Sequence, residues 1–158
     1  MAVIDVQSYF VKKSPLDLPQ KIAQHISRSK YDFVAFSIFQ NHDNSNWERS
    51  LHWSKCKNKE DMKLARELEQ FANKGNTFTK NSYSIFKNKD FESTLKRRQI
   101  DRLEVCGIDT DACVLATAFD AFDHGYEVKV LFNLSYSSDN LDEESRKIIT
   151  RNMQSKNS

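Results

Sequence analysis

Three residues of this chain are suited to covalent chemistry: Cys113 at the start of a helical segment, and Asp5 and Lys80 near the ends of two runs that read as strands. A thiol in the first turn of a helix meets the positive end of the helix dipole and several unpaired N–H groups, and both favour the nucleophilic thiolate. A nearby lysine favours it further, and a carboxylate within hydrogen-bond reach takes the thiol proton and returns it to a leaving group. Backbone N–H groups of the same turn are placed to hold a developing oxyanion. This is the equipment of acyl transfer. Taken singly, each residue has a plainer use: a free cysteine as packing, a lysine as a solvated surface group, an aspartate as a cap.

Positioning these residues requires strands and helices in alternation. Ala2–Val6 is a short β-branched run that reads as a buried strand with Asp5 near its end. Ile22, Ala23 and Ile26 recur at helical spacing, and Tyr31–Phe39 resumes a strand. From Gln40 to Lys59 the chain is polar, with Trp47, Leu51 and Trp53 interleaved, which predicts a long surface loop without a regular element. Leu64, Ala65, Leu68, Phe71 and Ala72 predict an amphipathic helix stopped by Gly75, and Thr77–Lys80 a short strand. Phe91 and Leu95 mark another helix, followed by a strand over Leu103–Cys106 and a turn through Gly107–Thr110. The helix that begins near Cys113 carries Val114, Ala118, Ala121 and Phe122 on one face and stops at Gly125, before a strand over Val128–Phe132. Residues 135–158 read as one more helix and a frayed end. The alternation predicts an α/β fold, a three-layer α/β/α sandwich with a mostly parallel, Rossmann-like central sheet, formed by residues 1–158 as a single domain. Ligands in such folds bind beyond the carboxyl ends of the strands, the edge to which Asp5, Lys80 and Cys113 all map.

Composition excludes several alternatives. With 39% hydrophobic residues, 11% aromatic, three Gly and two Pro in 158 residues, the chain can form a core. Its 24 basic and 22 acidic residues are interleaved and leave a net charge of +2, too weak a field to expect nucleic acid or an anionic membrane as partner. Lys96-Arg97-Arg98 reads as a solvated helix face. No apolar stretch approaches the roughly 20 residues that span a bilayer, and no signal peptide is evident, so the expected location is the cytoplasm. Three cysteines without paired spacing argue against a disulfide framework and a structural zinc site. Cys106 is expected in a buried strand and Cys56 as a half-exposed loop thiol.

Three segments in order, Val3-Ile4-Asp5-Val6-Gln7 with Phe10, Lys80 to Phe86, and Val105 to Val114, with the continuation Ala116 to Val128, resemble the isochorismatase-like cysteine hydrolases, the superfamily that contains nicotinamidases. The resemblance implies catalytic Asp5, Lys80 and Cys113, and oxyanion donors in the N–H groups of Asp109 and Cys113. It also implies a cis peptide at Ile108-Asp109 and hydrolysis of a C–N bond in a small amide through a thioester on Cys113. Gln7, Phe10, Tyr83 and Phe86 flank the matched motifs and are candidates for the substrate pocket. Homo-oligomers, dimers or tetramers, are common in the superfamily. Nicotinamidases carry a metal on one Asp and two His, but His42, Asp43 and His52 lack the usual Asp-x-His order, so no metal and no other cofactor is expected. The segment with Asn41, Ser45, Arg49, Leu51, Trp53 and Cys56 is similar to the metal-free branch. Asn133-Leu134 stands where the family usually has Asp-Ala, and the last strand common in larger members is not evident. Alternatives are vinyl-ether hydrolysis of the isochorismate type, which needs no nucleophilic cysteine, and a binding or redox-thiol protein on the same fold.

Overall fold

The computed structural model describes residues 1–153. Five strands, β1 (Ala2–Ile4), β2 (Ala35–Phe39), β3 (Thr77–Lys80), β4 (Arg102–Ile108) and β5 (Glu127–Tyr136), form one sheet in the order β3-β2-β1-β4-β5, and every neighbouring pair is parallel. All residues of β1 and β2 are buried, as a strand covered on both faces requires. Against one face pack Phe91 and Leu95 of α4 (Lys89–Arg97), Ala118 and Ala121 of α5 (Leu115–Asp123) and Ile149 of α6 (Asp142–Met153). Against the other pack Leu18, Ile22 and Ile26 of α2 (Leu18–Arg28) and Leu68 of a 3-10 helix over Arg66–Phe71; the one-turn α1 (Ser8–Val11) lies on this side through Phe10. The three predicted layers are present.

Several elements differ from the sequence reading. Within the expected loop, α3 (Asn46–Leu51) forms, capped by Ser45, whose Oγ accepts the Glu48 N–H. The segment read as a helix over 64–72 is held partly extended: Leu64 makes an antiparallel bridge to Gln7 and the Ala65 N–H donates to the Val6 carbonyl, leaving room only for the 3-10 turn. β5 continues four residues past Phe132, because a bulge lets the pairing with β4 resume at Ser135 and Tyr136 after the apolar alternation has broken. Phe122, expected on the packed face of α5, is 48% exposed. Arg98 lies over the Phe33 ring, its guanidinium carbon 4.6 Å from the ring centre, so the basic run is not wholly solvated. The expected frayed end falls at 154–158, outside the described residues, and none of the described helices is long and apolar enough to cross a membrane.

Chain direction switches between β1 and β4, since β1 leads to β2 on one side and β4 to β5 on the other. This is where an open parallel sheet makes its ligand crevice. The two strands approach closely at Gly107, which has φ +128° and where a Cβ would stand 2.1 Å from the Ile4 carbonyl oxygen. Only glycine fits there.

Candidate active site

β1 ends because Asp5 turns out of the sheet with φ 51°, a left-handed conformation that aspartate tolerates better than most residues. Ser37 of β2 holds it: Ser37 Oγ accepts the Asp5 N–H at 3.0 Å and donates to Asp5 Oδ1 at 2.6 Å. The second carboxylate oxygen accepts from Lys80 Nζ at 2.6 Å. Lys80 is the last residue of β3, and its other donors go to the Ser82 carbonyl at 2.8 Å and Cys113 Sγ at 3.6 Å, using all three ammonium hydrogens. The Phe39 ring lies beneath it, 5.3 Å from Nζ. Thus the three residues selected from the sequence meet in one place.

Cys113 sits in a π-helical turn, Thr110–Val114, just before α5, not in that helix's first turn. The Ala112 and Val114 N–H groups both close on the Asp109 carbonyl, at 3.2 and 3.0 Å. The peptide bond between Ile108 and Asp109 is cis, at the position the resemblance implied.

The site is dry. Asp5 is fully buried, Lys80 is 4% exposed and Cys113 is 8% exposed. Burial, reinforced by the Asp5 carboxylate, pushes the Cys113 thiol well above its ordinary range, and the Lys80 ammonium only partly offsets this. Desolvation thus opposes the thiolate that the helix end and the lysine favour. Burial also works against the Lys80 charge, but Asp5 and the Cys113 sulfur prevail and raise its pKa.

A cavity of about 800 Å3 opens beside this centre between α3, residues 81–84 and the start of α5. Trp47, Leu51 and Tyr83 give it apolar surface, and its walls include Ser82, which holds Lys80, and Ala116, one turn beyond Cys113. Asp5, Lys80 and Cys113 are not themselves among the residues that line it. Of the four candidate pocket residues, Tyr83 lines the cavity. Gln7 is fully buried, and its carboxamide accepts the Phe39 N–H at 2.7 Å and donates to the Phe39 and Asp61 carbonyls at 3.0 and 3.1 Å. Phe10 packs against Tyr9, Phe39 and Trp53, and Phe86 against Phe91, His124 and Tyr126. Cys56 is fully buried below Gln7, not half-exposed, and burial pushes its thiol up to about 12.

The histidine loop does not fit a metal. His42 Nδ1 faces the Asp43 carbonyl, Asp43 is paired with Lys57 at 2.5 Å, and His52 is the exposed cap ending α3. Among the described residues no group of three or more His, Cys, Asp or Glu is arranged to hold an ion.

Sequence reasoning missed Ser37, although a lone hydroxyl in the run Ala-Phe-Ser-Ile-Phe was a legible sign of a polar demand inside the sheet.

The isochorismatase domain model matches residues 1–154. The chain belongs to the isochorismatase family, a family of hydrolases. This isochorismatase-family chain is 45% identical over 51 residues to an uncharacterized isochorismatase family protein, PncA, of Bacillus subtilis. That match covers 32% of the chain but only 28% of the relative's length. Among solved structures, the pyrazinamidase/nicotinamidase of Streptococcus mutans superposes with a TM-score of 0.82 at 22% identity, over 95% of this chain and 94% of that one. The N-carbamoylsarcosine amidase of Thermoplasma acidophilum gives 0.81 at 19% identity, over 96% and 90%. These likenesses establish the fold.

Proposed function

We propose that residues 1–158 act as one cysteine hydrolase domain that cleaves the C–N bond of a small amide through a thioester on Cys113. The observation that carries the reading is Lys80 Nζ, 2.6 Å from Asp5 and 3.6 Å from the Cys113 sulfur, all three buried at the sheet's switch point. As the sulfur attacks the carbonyl carbon, Asp5 takes the thiol proton, and Lys80 stays charged to balance the carboxylate and the developing negative charge. The N–H groups of Asp109 and Cys113 receive the oxyanion. Asp5 returns the proton to the leaving nitrogen, then activates the water that releases the acid and restores the thiol.

A buried sulfur whose ionisation desolvation opposes suits this scheme, because proton transfer and attack are coupled and the sulfur is not left open to stray electrophiles. The amidase names of the two structural neighbours favour C–N cleavage over vinyl-ether hydrolysis. The substrate is a small molecule admitted through the cavity under Trp47 and Tyr83, and the enzyme works in the cytoplasm as a dimer or tetramer.

The test is ammonia release from a panel of small amides, nicotinamide included, with intact-mass detection of an acyl adduct. Turnover by the unaltered protein and its loss in Cys113→Ala, Asp5→Asn and Lys80→Ala is the expected result. Turnover that persists in Cys113→Ala would overturn the covalent scheme. A response to peroxide but to no amide would favour a redox thiol.

A further inference from the structure

Two carboxylates grip the turn that carries Cys113. Asp109 Oδ1 accepts both the Ser138 N–H at 2.9 Å and the Ser138 hydroxyl at 2.6 Å. Asp142, the first residue of α6, accepts the Thr110 hydroxyl at 2.6 Å through Oδ1 and the Ser137 N–H at 3.1 Å through Oδ2. Ser137 Oγ in turn accepts the N–H groups of Asp139 and Leu141, at 3.3 and 3.0 Å. Thr110 and Ser137 are fully buried, so no water replaces a bond lost there.

These bonds do more than cap α6. An N-terminal cap satisfies N–H groups of its own helix, whereas here bonds cross 29 and 32 residues of sequence to reach Asp109 and Thr110, where the π-helical turn begins. The same Asp109 carbonyl anchors the Ala112 and Val114 N–H groups. The segment between β5 and α6 therefore sets the direction of the peptide groups on either side of the nucleophile. A donor displaced by a few tenths of an ångström loses much of its effect on a developing charge.

We propose that Ser138 and Asp142 are positioning residues for the reaction at Cys113, fixing the backbone of Asp109 and Thr110 so that the turn's N–H groups meet an oxyanion. The proposal rests on the amidase reading given above.

A carbonyl probe separates the two claims. In the full chain, [1-13C]acetaldehyde adds to Cys113: a C–S bond forms, the C=O becomes a C–O single bond, and the thiol proton passes to that oxygen. The hemithioacetal oxygen then occupies the oxyanion position, and its carbon resonance gives a dissociation constant. Alkylation of Cys113 by iodoacetamide, a displacement that forms no oxyanion, is followed in parallel. Ser138→Ala and Asp142→Asn should weaken the hemithioacetal about ten-fold, while Ser138→Thr keeps the hydroxyl and, like the alkylation rates, stays within about two-fold. Equal aldehyde affinity in all variants would overturn the positioning role. So would equal losses in aldehyde affinity and alkylation, the mark of a turn that has merely collapsed. An unaltered Cys113 that alkylates but forms no hemithioacetal would overturn the amidase reading, and the positioning role with it.

Discussion

Replacing Ser37 with alanine removes both bonds that hold Asp5 in its left-handed conformation. The 2.6 Å bond to the carboxylate is charge-assisted and contributes about 2 kcal/mol, and the 3.0 Å bond from the Asp5 N–H about 1 kcal/mol. Neither partner reaches water, since Asp5 and Ser37 are fully buried. Ser37→Ala should therefore cost about 3 kcal/mol of stability, a large part of the 5–15 kcal/mol typical of a domain but not enough to unfold it. Once loosened, Asp5 samples geometries in which it faces neither Lys80 nor the Cys113 thiol. If about half of the lost energy is felt in the transition state, kcat/KM falls roughly ten-fold. Urea unfolding followed by circular dichroism measures the first quantity, and turnover of whichever amide the panel identifies measures the second. A variant within about 0.5 kcal/mol of the parent with unchanged kcat/KM would show that Asp5 is held by the sheet alone, and the argument from Ser37 would fail.

Gly107→Ala should prevent folding or lower the midpoint severely, because its Cβ would stand 2.1 Å from the Ile4 carbonyl; a soluble variant with parental Tm would refute the packing of β4 on β1. Stability should fall as pH rises above about 8.5, where unfolded cysteines ionise while the buried Cys56, Cys106 and Cys113 thiols, all raised by burial, keep their protons. Lys80, also raised, adds a second loss at higher pH as its ammonium titrates in the folded state. Thermal unfolding from pH 7 to 10 checks this, and a flat profile would contradict it. Trp47→Ala removes edge-on contacts with Phe39 and Tyr83 and should destabilise by about 1–3 kcal/mol, raising KM more than it lowers kcat. An unchanged KM would detach the cavity from substrate binding.

The sheet and its site were legible where residue type and position carry the same message. Asp5 and Lys80 lie at strand ends and Cys113 just beyond another, and a parallel sheet gathers such positions at one edge whatever the loops do. The upward push that burial gives the Cys113 thiol was not legible, since helix dipole and lysine can be read from neighbours in sequence whereas desolvation depends on side chains packed from several elements. α3 was missed because its six residues bury nothing fully and owe their shape to the Ser45 cap. Ser138 and Asp142 were missed because a bond to Asp109 or Thr110 has no periodicity. Cys56 was misread because a polar sequence around a thiol says little about whether Gln7 lies over it.

Gln7 bears on how this chain tolerates change. Its carboxamide offers Phe39 both an acceptor and a donor, as a strand backbone would, at the point where β1 has turned away to present Asp5. One side chain thus stands in for a peptide group and lets the first strand stop after three residues without leaving β2 unpaired. Glutamate at position 7 would set two acceptors against a carbonyl, leucine would offer neither group, and asparagine is a methylene too short. A library covering every residue at position 7 should return glutamine almost alone from a selection for folding, even in a chain whose Cys113 has been removed. The need there belongs to the sheet and is indifferent to the substrate.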